Sequence, residues 1–76
     1  MFSIRLQRAE HVRHYSIRPA HTAGWEVSLE EDQTLTRHAR YDDWHRVERA
    51  LALFRLEVAD LADEGWEVQP STSSHS

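Results

Sequence analysis

Trp44, Val47, Leu51, Phe54, Val58 and Leu61 recur at alternating intervals of three and four within a charged stretch. At about 3.6 residues per turn, that spacing gathers all six side chains into one stripe of an α-helix. The stripe needs a surface to hide against, so whatever precedes the helix must supply one. The expected helix lies between Asp42 and Gly65. Either Asp42 or Asp43 can accept a hydrogen bond from the first free amides, and Gly65 can take the left-handed backbone that closes the last turn. Trp66 would then fold back toward Leu61.

Ahead of the helix the period changes from 3.6 to two. Phe2, Ile4 and Leu6 alternate with Ser3, Arg5 and Gln7. From Val12 to Arg18, Arg13, Tyr15 and Ile17 share one side, opposite Val12, His14, Ser16 and Arg18. Pro19 ends that segment and a loop follows to Gly24. Trp25, Val27 and Leu29 alternate with Glu26, Ser28 and Glu30, and Glu31-Asp32-Gln33 reads as a turn. A last strand runs from Thr34 to Tyr41, with Leu35, Arg37, Ala39 and Tyr41 on the side opposite Thr34, Thr36, His38 and Arg40.

Short connections favour antiparallel neighbours. The predicted fold is α+β: an antiparallel three- or four-stranded meander followed by one long C-terminal helix packed on one face. Tyr15, Ile17, Trp25, Val27, Leu29 and Leu35 are expected to receive the helical stripe. Residues 1–69 make one domain, and 70–76 (PSTSSHS), poor in apolar side chains, read as a disordered tail.

A chain of 76 residues with no cysteine has neither a disulfide staple nor a thiolate zinc site. Its amino-terminal stretch is too interrupted by polar residues for a membrane span, so a cytoplasmic protein is expected. The net charge of -4 disfavours indiscriminate nucleic-acid binding. The charge is uneven, however: residues 1–25 are basic, while 26–33 and 51–76 are acidic. All nine basic side chains are arginine. Arginine suits bidentate contact with phosphate or carboxylate, although an arginine-rich codon usage is the simpler explanation of the bias.

The chemistry-bearing residue types do not converge. His11 and His14 stand three apart, which on a strand places them on opposite faces, and no further ligand set accompanies them. No metal site and no cofactor is expected. Asp42 and Asp43 read as helix caps, and Glu30-Glu31-Asp32 as a solvated turn. The serines lack a nucleophile elbow, and two glycines cannot form a phosphate loop. An enzyme is not expected, so the anticipated function is binding.

Two surfaces stand out. On the sheet face turned from the helix, Ser16, Arg18, Ser28, Thr36, His38 and Arg40 offer hydroxyl and guanidinium donors. Arg18, Arg40 and His38 would contact phosphates of a single-stranded nucleic acid, with Arg5 and Arg13 supporting at the edge. Glu26 and Glu30 on that face oppose a polyanion. On the helix, Leu53 and Leu56 lie away from the main stripe among charged residues, which points to a contact with another protein or with a second copy.

The order of elements, strands at Phe2–Gln7, Val12–Arg18, Trp25–Glu30 and Thr34–Tyr41 followed by the helix, resembles the four-strands-then-helix unit of Pur-alpha repeats, Whirly proteins and the transcriptional positive cofactor. That resemblance implies dimerisation and binding of single-stranded DNA or RNA along the sheet. The segment from Tyr41 to Leu51 (YDDWHRVERAL) is similar to those of small bacterial proteins, which implies a bacterial origin and no particular activity. The expected function is therefore a homodimeric, non-enzymatic domain that binds single-stranded nucleic acid through its sheet. The alternative is a protein-protein interaction or assembly module using Leu53 and Leu56 or a strand edge.

Overall fold

The computed structural model describes residues 2–70, with the side chain of Pro70 excepted. The elements run β1 (Phe2–Arg8), β2 (His11–Pro19), β3 (Trp25–Glu31), β4 (Thr34–Tyr41), α1 (Trp44–Asp63) and β5 (Glu67–Pro70). The fold is α+β. Its sheet is antiparallel, in the order β4-β3-β2-β1-β5, with the helix across one face.

Two-residue turns join β1 to β2 and β3 to β4, and their backbone makes them tight. Ala9 has φ 53° between β1 and β2, while Asp32 and Gln33 have φ 53° and 70° between β3 and β4. Positive φ at the first central residue, as at Ala9, or at both, as at Asp32 and Gln33, matches the right-handed twist of the flanking strands. The Ala20–Gly24 loop between β2 and β3 is closed by the Ala20 amide donating to the Gly24 carbonyl at 2.9 Å.

Alternation in β1, β2 and β3 places Leu6, Tyr15, Ile17, Val27 and Leu29 under the helix, where Val47 and Phe54 complete the buried core. Burial of each such side chain is worth about 1.5–3 kcal/mol. Phe54 is the keystone. Its ring meets Tyr15 edge-on at 4.7 Å between centroids and Phe2 at 6.4 Å. Trp44 packs on Trp25 at 5.0 Å, a contact that keeps the start of the helix on the sheet while leaving part of Trp44 in water.

Both ends of α1 are capped. Asp43 is the N-cap, its carboxylate accepting from the His45 amide at 2.9 Å, whereas Asp42 pairs with Arg40 at 3.3 Å. At the other end Gly65 has φ 101°. The Trp66 amide donates to the Leu61 carbonyl at 3.0 Å and the Gly65 amide to Ala62 at 3.1 Å. This paired closure reverses the chain and sends it back along the sheet.

One expectation is extended and two need correction. Among the described residues the sheet has five strands, larger than the expected meander but compatible with it, because the reversal at Gly65 aims Glu67–Pro70 at the free edge of β1, with Leu6 opposite Val68. Pro70 therefore ends a strand, and the remainder of the expected tail lies outside the described residues. Leu35 does not face the helix. An irregularity between Leu29 and Glu30 sets Arg37 opposite Leu29 but Leu35 opposite Glu30, so the extra residue moves Leu35 to the outer face, where it is 54% exposed. Finally, β1 and β2 are interior strands, so neither Arg5 nor Arg13 lies at a sheet edge.

Candidate interaction surfaces

The outer sheet face is built from cross-strand rows. Arg40, Glu26 and Arg18 form one row across β4, β3 and β2. His38, Ser28, Ser16 and Ser3 form the next. Leu35, Glu30, His14 and Arg5 form a third, continued by Gln69. Arg5, Arg18, His38 and Arg40 thus come together on one face, and no other described element packs against it.

The chemistry of that face is largely internal. Glu26 sits between two guanidinium groups, 3.7 Å from Arg18, and Arg40 donates to the Ala23 carbonyl at 2.6 Å while pairing with Asp42. Ser16 and Ser28 share a hydrogen bond of 2.7 Å, and Ser3 shares one of 2.8 Å with the His14 ring. Alternating charge along a row is the arrangement that stabilises neighbouring strands. It also divides the arginines, because Glu26 and Glu30 interrupt any continuous basic track.

Arg13 is on the opposite side of the sheet. Strand parity turns it toward the end of the helix, where its guanidinium lies 5.5 Å from the centre of the Trp66 ring and 3.8 Å from Glu31. Nearby, the buried Tyr15 hydroxyl donates to Glu57 at 3.0 Å, and Arg37 donates to the other oxygen of Glu57 at 3.1 Å. Burial pushes the Tyr15 phenol above its usual range; the Arg13 hydrogen bond offsets part of this and Glu57 adds to it. The network ties α1 to β2 and β4.

The helix flank over β4 is the other candidate surface. β4 is an edge strand, and between it and α1 runs a groove of about 440 Å³. Ala39, Tyr41, Ala50, Leu53 and Phe54 give it an apolar lining, with Arg37, Arg46 and Arg49 among them. Leu53 is 49% exposed beside it and Leu56 is 65% exposed on the outside of the helix. The leucines were visible in the sequence; the groove was not. Its signal is Arg37 on the helix-facing side of β4, where an apolar residue would otherwise close the gap.

His11 and His14 are engaged in structure, His14 through Ser3. His11 donates to Asp32 at 3.0 Å, and the same carboxylate accepts from the Val12 amide at 2.9 Å. These bonds, the His11 one first, hold the Asp32 carboxyl below its usual range. Among the described residues no three or more metal-ligating side chains cluster, and no helix is long and apolar enough to cross a membrane. No family model matches the chain, and comparison with curated proteins and with solved structures finds no match.

Proposed function

We propose that this chain is a non-enzymatic assembly module, cytoplasmic and bacterial, that docks protein on the flank formed by α1 and β4. The observation that carries the reading is the arginine-bordered apolar groove beside Leu53 and an unpaired strand edge. Exposed apolar surface rimmed by polar groups is the usual character of a contact site. Light scattering across a concentration series tests it. Self-association of the wild type is expected, with Leu53→Glu/Leu56→Glu weakening it while the circular dichroism spectrum is unchanged. A wild type that stays monomeric at its highest soluble concentration overturns the reading.

A second reading is single-stranded nucleic acid on the outer sheet face, supported by the grouping of Arg5, Arg18, His38 and Arg40 on one uncovered face. Arg13, on the other face, takes no part. Three arginine contacts would give a salt slope of about -2. Glu26→Gln/Glu30→Gln should then tighten oligonucleotide binding in fluorescence anisotropy by removing the interrupting charges. An anisotropy that does not change at low salt and tens of micromolar protein sinks this reading.

A further inference from the structure

Beside its buried stripe, α1 carries a second one. Arg46, Arg49, Leu53, Leu56, Asp60 and Asp63 recur at intervals of three and four, and all six are exposed. Such spacing is that of a helix-pairing seam. Read from either end, the order is two charges, two leucines, two opposite charges. Among the described residues, none of the four charged members takes part in an ion pair.

The charges also stand against the helix's own electrostatics. The amino end of a helix favours carboxylates and the carboxyl end favours cations. Here Arg46 lies in the first turn and Asp63 in the last, and neither turn holds the favoured type. Local helix stability therefore does not account for the pattern, whereas a second helix running the other way does.

We propose that two copies of this chain associate through antiparallel contact of α1, about a two-fold axis passing between Leu53 and Leu56. Arg46 then meets the partner's Asp63, Arg49 meets the partner's Asp60, and Leu53 meets the partner's Leu56. Symmetry repeats each contact, as a closed two-fold interface requires. Parallel pairing would set arginine on arginine and aspartate on aspartate, so charge selects the orientation. Ala52 and Ala59 lie beside the seam and present little bulk to an approaching helix. The 20 residues of α1 span about 30 Å, which makes a small contact. The dimer is accordingly weak and concentration-dependent. This inference rests on the assembly reading and names its partner.

Charge exchange tests it. Arg46→Asp/Arg49→Asp makes the seam wholly acidic, and Asp60→Arg/Asp63→Arg makes it wholly basic. Both changes suit the helix dipole, so folding is retained. Each variant alone should dimerise about a hundredfold more weakly than wild type at low salt, and an equal mixture should recover the wild-type dissociation constant as a mixed dimer. Because the chain has no cysteine, orientation can be read by oxidising Arg46→Cys mixed with Asp63→Cys. A crosslink between the two variants is expected, and one formed by Arg46→Cys alone contradicts the antiparallel arrangement. If each charge variant dimerises as well as wild type, assembly stands and the helix seam is wrong. If the wild type is monomeric, both fail together.

Discussion

Gly24 and Gly65 both have positive φ, 80° and 101°, yet their surroundings differ. A side chain at Gly24 would collide with the Tyr41 carbonyl and the Asp42 carboxylate, whereas one at Gly65 would meet open space. Gly65→Ala should therefore cost only the backbone strain, about 1 kcal/mol. Gly24→Ala should cost that and more, about 2–3 kcal/mol, because a backbone carbonyl cannot swing aside. Urea unfolding of the pair checks the order, and equal midpoints would contradict the clash. Ala9 and Gln33 present the converse case. Each holds positive φ without being glycine, so Gln33→Gly should stabilise the β3–β4 hairpin by up to about 1 kcal/mol. Asp32 in the same turn gives a pH dependence. Its carboxyl is lowered in the folded state, so its stabilisation is complete above the ordinary aspartate value and is lost as pH falls through the lowered one. The stability gap between wild type and Asp32→Asn should be constant near neutrality and close in strong acid. A gap that stayed the same from neutrality into strong acid would mean that ionising this carboxylate contributes nothing.

At the scale of elements, what could be read in the sequence was periodic and what could not was tertiary. The apolar repeat of α1, the alternation of β1, β2 and β3, and the signals at Asp43 and Gly65 are local, so each element lies within a residue or two of its expected bounds. The capping choice between Asp42 and Asp43 depended on which carboxylate Arg40 would claim, a contact between β4 and the turn that follows it. Asp43→Ala should thus destabilise by about 1 kcal/mol and Asp42→Ala by much less, as thermal melts would show. The irregularity in β4 was hidden because Thr34 to Tyr41 alternates plausibly in either register. Only pairing with β3 reveals the extra residue, which the Thr36 hydroxyl secures by donating to the Leu29 carbonyl at 3.2 Å. β5 was hidden for a similar reason. Glu67-Val68-Gln69 offers one apolar residue, and its strand exists because the turn at Gly65 delivers it to β1. Of the candidate site, Leu53, Leu56 and the outer arginines were legible. The face of Arg13 was legible too, because it alternates in step with Tyr15 and Ile17, but its partner was not, since that contact depends on Trp66 returning over β2.

At the scale of the whole molecule, seven of the described residues make up the buried core, and among those residues the helix shields one face of the sheet. A domain of this size buries roughly 60% of its unfolded surface, so association is a direct route to added stability. That makes the melting temperature a readout of assembly. If native chains pair and unfolded ones do not, unfolding also separates the copies, and raising the concentration favours the folded side. For a chain this short the unfolding enthalpy is about 50 kcal/mol per copy. A tenfold rise in concentration should then lift the melting temperature by about 5 °C while the dimer predominates. Leu53→Glu/Leu56→Glu should remove that dependence and leave one melting temperature at every concentration. The same should hold for the wholly acidic seam alone but not for its mixture with the wholly basic one. A wild-type midpoint that ignores concentration would mean that the copies do not meet, and the paired order of charges along α1 would have no role in the stability of the fold.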